Sequence, residues 1–351
     1  MNLDKKKILK TLNPNKVWLP AAISIGFVLF LILTDDNITP QKLNLIFQAK
    51  FWPVLFAFGM LVIKEAAYIY RIRSLTNKDL NWHSSFYVIM LWEFASAVTP
   101  SVVGGTAVAV FILLKEKINL GKSLAYVMLT AILDNLFFVV AAPIMLLIVG
   151  FDIFPDFGQT MQGVFITSYS LIAIYTLIMA FALFYRPRLF KWFLIKCTSI
   201  KFLRRWRYAA YQHGNEVMWA SSLIKGKRLG YWIRIVSATI VAWVARYAIL
   251  NFLIAAYTGG VYFSDHIIIF GKHLILWIVM LLSPTPGSAG TAEHFFMQSF
   301  VVYLDQFTIG AAMLWRIVSY YPYLIVGAII LPGWIKRVFF KKPAEKEEYA
   351  K

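Results

Sequence analysis

Residues 283–291 read Ser-Pro-Thr-Pro-Gly-Ser-Ala-Gly-Thr, and residues 99–105 read Thr-Pro-Ser-Val-Val-Gly-Gly. Each is a Pro/Gly break with apolar sequence on both sides. In hydrocarbon a broken helix leaves N–H and C=O groups unpaired. Such a break is tolerated only where protein buries it or water reaches it. Breaks at corresponding places in two halves of a membrane chain point to a site near the bilayer midplane. The fold turns on what flanks these two segments.

What flanks them is hydrophobic. Apolar residues make up 60% of the chain, aromatics 17% and charged residues only 15%, which excludes an ordinary soluble domain. Several apolar runs approach or exceed the roughly 20 residues that cross a bilayer. Full spans are expected at 17–33, 51–70, 123–149, 163–185, 231–257 and 308–331. Two shorter apolar pairs remain, 84–98 with 101–114 and 267–282 with 291–303, whose arms are too short to cross comfortably. The run 17–33 follows a basic N-terminus and is followed by Thr34-Asp35-Asp36 instead of a small-residue cleavage site, so it reads as a retained signal anchor. The lone Cys197 cannot close an intramolecular disulfide, and no Cys/His spacing suggests zinc.

Charge sets the topology. Of the 35 lysines and arginines, 28 lie in segments 1–16, 71–83, 114–122, 186–230 and 333–351. Segments 34–50, 150–162, 258–266 and 304–307 hold Asp35, Asp36, Asp152, Asp156, Asp265 and Asp305 but only Lys42 and Lys50. The positive-inside rule then puts both termini in the cytoplasm, in a prokaryotic-type plasma (inner) membrane. Residues 83 and 115 share the cytoplasmic side, and 266 and 304 share the outside. The expected fold is an all-α polytopic membrane protein with about six full spans and two opposed re-entrant helical hairpins in an inverted-topology repeat. Residues 1–16 form a basic N-terminus, 17–149 a first repeat, 163–331 a second containing a 186–230 insert, and 332–351 a cytoplasmic tail. Each short pair could alternatively be two short crossing helices.

Ionisable groups within spans cost about 2.5–3.5 kcal/mol on insertion scales and usually face an interior or cavity. The candidates are Lys64, Glu65, Glu93, Asp134, Arg246, Lys272, His273, Glu293, His294 and Arg316. Glu93 lies seven residues before Pro100 and Glu293 seven after Pro286, about two helical turns from each tip. Arg246 and Arg316 are natural counter-ions for these carboxylates or for a lipid phosphate. Blander readings stand beside these. Lys64 and Lys272 can snorkel, Asp134 with Asn135 can bridge helices, His273 and His294 can simply pack, and a Glu293–Arg316 pair can be architectural. Backbone at Gly104, Gly105, Gly287 and Gly290 admits close approach of a ligand. Helix N-termini there would offer free N–H groups to an anionic headgroup. The same glycines could equally serve close helix packing.

The 186–230 insert has eleven Lys/Arg and one acid, Glu216, interleaved with aromatics including Trp192, Phe202, Trp206 and Trp219. That composition suits an in-plane helix on an anionic cytoplasmic leaflet, or a loop that only sets topology. Nothing beside the charge suggests nucleic acid.

The segment Pro284-Thr285-Pro286-Gly287-x-x-Gly290-x-x-Glu293, the later Arg316-x-x-x-Tyr320-Tyr321-Pro322 with Gly327, and Pro100 to Gly105 resemble the transmembrane domain family of lysylphosphatidylglycerol synthase/flippase proteins, over roughly residues 20–335. The resemblance implies handling of phospholipids, including translocation between leaflets, and adds Tyr320 to the site. Where the family often carries an acid and an arginine after Gly-Gly, this chain has Thr106 and Ala109, and of a Glu-Arg-x-x-Asp pattern it keeps only Asp134. The chain ends near Lys351, leaving no room for the family's soluble aminoacyltransferase domain, so synthase activity is not expected.

The leading expectation is a phospholipid transporter or flippase, not an enzyme, needing no cofactor. Its substrate-binding or gating residues would be Glu93, Pro100, Gly104, Gly105, Asp134, Arg246, Pro286, Gly287, Gly290, Glu293, Arg316 and Tyr320. No Walker motif supplies ATP energy. An intramembrane enzyme acting on a lipid or polyprenyl phosphate and a scaffold for a lipid-modifying enzyme partner are the alternatives.

Overall fold

The computed structural model describes residues 45–99, 102–154, 159–200, 202–280, 288 and 290–340. The expected anchor at 17–33 and the sites Pro100, Pro286 and Gly287 lie outside the described residues. Within them the regular structure is helical: α1 Phe51–Leu75, α2 Trp82–Val98, α3 Val102–Lys115, α4 Leu120–Val149, α5 Gln159–Phe184, α6 Pro187–Cys197, α7 Arg207–Ile224, α8 Leu229–Thr258, α9 Phe263–Met280, α10 Thr291–Leu304, α11 Thr308–Ser319 and α12 Tyr321–Ile335. Five stretches are long and apolar enough to cross a membrane: Phe51–Leu75, Leu120–Ile153, Gln162–Phe184, Leu229–Thr258 and Thr291–Val338. The last comprises three consecutive helices.

Helix ends follow local chemistry. The Asn81 and Asn119 side chains accept from the Ser84 and Lys122 N–H groups, at 2.7 and 2.9 Å, and start α2 and α4. Gly259, with φ 79°, takes the left-handed turn that stops α8. Between α11 and α12 the expected single span 308–331 is interrupted. Tyr320 leaves helical geometry at φ −128°, ψ −56°. The cause is Pro322, which has no N–H to donate and whose ring crowds the carbonyl four residues back. It sits instead in the first turn of a new helix, where proline fits.

The pair that organises the molecule is α1 with α8. At one end the Lys50 N–H donates to the Ala256 carbonyl at 2.9 Å. At the other the Tyr231 hydroxyl donates to the Leu75 carbonyl at 3.3 Å. The two helices therefore run antiparallel along their length. On α1 the buried positions Ala57, Leu61, Lys64, Tyr68, Arg71 and Leu75 recur at three- and four-residue spacing and form one face. Two of those six are cations, which sets up the site.

Helices α2 and α3 fold back on one another. A Cβ on Gly105 would lie 2.2 Å from Ser96 Oγ and 3.2 Å from its Cα, so only glycine permits this approach. Around these pairs Leu147, Ile166, Leu171, Ile174, Leu177 and Ile329 are exposed. An apolar exterior of this kind belongs in lipid.

Candidate functional site: a buried ionic network

The α1 face carries Lys64, Tyr68 and Arg71 inward. Lys64 is 1% exposed. Its ammonium donates to Glu65 Oε1 at 2.7 Å, to Glu93 Oε1 of α2 at 3.0 Å and to the Tyr323 hydroxyl of α12 at 2.7 Å. The Tyr323 hydroxyl in turn donates to Glu65 Oε1 at 2.7 Å. All three donors of the ammonium are thus used. Lys64 does not snorkel, because it has carboxylate partners inside the protein.

Glu93 Oε1 also accepts from Arg246 Nη2 of α8 at 3.3 Å. The Arg246 guanidinium lies 4.8 Å from the Trp243 ring centre and 4.5 Å from that of Trp277 on α9. These aromatic faces stabilise a cation that water cannot reach freely. Arg246 Nε and Glu65 Oε2 are buried without hydrogen-bond partners among the described residues.

Two turns along α1, Arg71 grips Asp134 of α4 with both terminal nitrogens, Nη1 to Oδ1 and Nη2 to Oδ2, the latter at 3.1 Å. Two parallel bonds fix orientation as well as charge. Arg71 Nη1 also donates to Thr239 Oγ1 at 3.1 Å, and the Trp243 indole N–H donates to Asp134 Oδ1 at 2.9 Å. Tyr68 lies beneath this group, its ring centre 4.7 Å from the Arg71 guanidinium. One expectation is corrected here: Arg71 belongs to the buried face of α1 and not to a cytoplasmic loop, because Asp134 compensates its charge. Asp134 does bridge helices, as its blander reading has it: it accepts from Arg71 of α1 and Trp243 of α8.

A second group sits at the start of α10. Glu293 is 2% and Arg316 5% exposed. Arg316 Nε donates to Glu293 Oε1 at 2.8 Å and Nη2 to Oε2 at 3.1 Å. The Gly290 N–H donates to Glu293 Oε2 at 2.8 Å, and Arg316 Nη2 reaches the Ser288 carbonyl at 3.3 Å. Of the N–H groups expected to be free at this helix start, that of Gly290 is not: Glu293 reaches back three residues and accepts from it. Gly290 has φ 84°, which a side chain would strain. The Tyr320 ring lies 4.8 Å from the Arg316 guanidinium, and its hydroxyl donates to the Ala97 carbonyl at 3.0 Å. The break between α11 and α12 therefore presents Tyr320 to the end of α2 and Tyr323 to Lys64 and Glu65.

The structure thus sorts the expected site residues. It pairs Glu93 with Arg246 and Glu293 with Arg316, and Trp243 donates to Asp134 while its ring faces Arg246. Gly104 lies within α3 and Gly105 at the α2–α3 contact. His273 packs by its ring against Tyr247 and Trp315, at 4.9 and 5.7 Å. Sequence reasoning missed Arg71, Tyr68 and Tyr323 as members; the 64, 68, 71 spacing was the available signal. Among the described residues no group of three or more His, Cys, Asp and Glu could hold a metal ion. Four cations, Lys64, Arg71, Arg246 and Arg316, face four carboxylates, Glu65, Glu93, Asp134 and Glu293.

The family described as the lysylphosphatidylglycerol synthase TM region matches residues 17–327. The chain belongs to this family. A UPF0104 membrane protein of Archaeoglobus fulgidus is 27% identical over 305 residues, covering 82% of this chain and 88% of that protein. No solved structure matches the chain. Membership in this transmembrane family and the long apolar helices together make this an integral membrane protein.

Proposed function

We propose that this member of the lysylphosphatidylglycerol synthase TM family moves a phospholipid or related lipid between leaflets and is a transporter, not an enzyme. The observation that carries the reading is four cations and four carboxylates paired in separate groups inside the helices, with Lys64, Arg71, Glu293 and Arg316 buried and the other four half-buried. Buried ion pairs are poor stabilisers, since well-packed apolar residues of similar volume often do as well or better. Charges retained inside a membrane protein therefore favour work on a polar substrate. The unpaired Arg246 Nε and Glu65 Oε2 give the network spare donor and acceptor capacity for a headgroup. The paired short helices α2–α3 and α9–α10 act in this reading as opposed re-entrant hairpins. Both termini lie in the cytoplasm, and the membrane is a plasma (inner) membrane.

A headgroup in this centre would exchange partners with Glu93–Arg246 and Glu293–Arg316 while its acyl tails stay in lipid. The test is movement of a fluorescent phospholipid in vesicles reconstituted with the protein. Glu93→Gln and Glu293→Gln should each slow it. Losing one charge-assisted hydrogen bond, about 1.5–3 kcal/mol, corresponds to a roughly ten- to hundredfold lower rate. Wild-type rates in both variants, with the fold intact, would sink the reading.

A further inference from the structure

Helices α6 and α7 pack on each other, and α7 packs on α4. Their contact is close: a Cβ on Gly214 would lie 2.5 Å from Lys191 Cγ, and one on Gly121 would lie 3.1 Å from the Trp219 ring. The α6–α7 unit follows α5 and precedes α8 in the chain, both long and apolar enough to cross a membrane. It therefore stands at the edge of the bilayer.

What this unit turns outward is a mixture of cations and large apolar groups. In the connection from α6 into α7, Ile200 is 60% exposed, Phe202 78% and Tyr208 73%. Arg204, Arg205 and Arg207 are exposed between them. On α6, Trp192 and Phe193 are exposed as well. The cations lie against the aromatics, Lys196 at 4.6 Å from the Trp192 ring centre and Arg205 at 4.3 Å from that of Trp206. No acid stands among residues 186–215. The insert's one carboxylate, Glu216, is buried and bonded at 2.9 Å to His213. That bond holds the imidazole above its ordinary range, so Glu216 leaves the surface uncompensated.

We propose that the α6–α7 connection, residues 198–200 and 202–208, is a docking surface for an anionic lipid leaflet. Apolar side chains that water solvates poorly enter the headgroup boundary, and arginines beside them pair with lipid phosphates. Neither component suffices alone. A neutral surface would attract the aromatics without the cations, and a soluble acidic partner would use the cations without the exposed Phe202 and Ile200. The adjoining membrane-crossing helices supply the leaflet, so the surface commits to lipid. Through Trp219 against Gly121, docking fixes the position of α7 on the start of α4. This claim does not depend on whether the protein moves lipid.

The test uses the full chain in nanodiscs. With Cys197 replaced by Ser, a spin label at Ser199→Cys reports immersion by its accessibility to oxygen against a water-soluble nickel reagent. In discs containing anionic phosphatidylglycerol the label should be immersed. Discs of phosphatidylcholine alone should leave it wetter. Replacing Arg204, Arg205 and Arg207 with Gln should lower the immersed-to-aqueous ratio in anionic discs roughly a hundredfold, at the attraction expected per basic residue near such a surface. Replacing the same three with Lys should preserve immersion, which separates charge from loss of fold. A label that stays aqueous in anionic discs would overturn the proposal, as would equal immersion in neutral and anionic discs.

Discussion

At the scale of single residues, the network is defined by who compensates whom. Arg71 illustrates the stakes. The residue is 3% exposed, and its guanidinium grips Asp134, which also accepts from Trp243. Removing one member of a buried pair leaves an uncompensated charge, at about 3–5 kcal/mol. Arg71→Met should therefore lower the midpoint of thermal unfolding in detergent strongly. Adding Asp134→Asn removes the stranded charge and keeps an acceptor for the Trp243 indole, so the double variant should be more stable than Arg71→Met alone. A double variant no better than the single would show that Arg71 acts by packing and not by compensating Asp134. The carboxylate was legible in the sequence as a costly group at membrane depth. Its partner was not. Arg71 stands near Arg73 and Lys78 and so counts as cytoplasmic charge when read locally. Only the fold brings it to a carboxylate 63 positions away.

At the scale of elements, the sequence anticipated boundaries well where capping and apolar runs agree. The arm expected at 84–98 is Trp82–Val98, and the one at 291–303 is Thr291–Leu304. At the last span it missed a break: 308–331 lies within a stretch long and apolar enough to cross, but one non-helical residue, Tyr320, leaves no hydropathy signal. Pro322 was the signal present, and its meaning depended on whether it kinked a helix or began one. The new helix, α12, packs on α2 at Gly327. A Cβ there would fall 2.3 Å from Phe94 Cγ and Cδ2 and 2.4 Å from its Cβ. Phe94 is fully buried and has nowhere to go. Gly327→Ala should destabilise by about 1–3 kcal/mol through overpacking. Gly333, six residues on in the same helix, has open space around it. Gly333→Ala should be neutral or stabilising by about 0.5–1 kcal/mol, since alanine is the better helix former. Equal effects at the two positions, read from unfolding midpoints in detergent, would mean that contact with Phe94 does not set the α2–α12 distance.

At the scale of the whole molecule, the order of helices matches the order of apolar runs. How that order threads the bilayer rests on charge. The antiparallel α1–α8 pair has two distinct ends. The Lys50–Ala256 end and the Leu75–Tyr231 end lie at opposite ends of two helices long enough to cross. Arg73 and Lys78 flank the second end, while Gly259 and Gly260 follow the first. If charge rules, the loops after α1 and α3 share the cytoplasmic face with the second end. The loops before α9 and after α10 share the outside with the first. Each short pair then enters and leaves on one side, and the two pairs oppose each other. Exposed positions make this directly measurable in a Cys197→Ser background, using an impermeant thiol reagent on intact cells and on inverted membranes. Asp79→Cys and Lys117→Cys, which flank the α2–α3 pair, should both label only in inverted membranes. Tyr262→Cys and Gln306→Cys, which flank α9–α10, should both label in intact cells. Labelling of residues 79 and 117 from opposite sides would make α2–α3 one net crossing and end the inverted-repeat reading. Matching sides within each pair, but the same side for both pairs, would keep the hairpins and end only their opposition. That would leave the Glu93 and Glu293 groups serving entry from one face instead of gates on two.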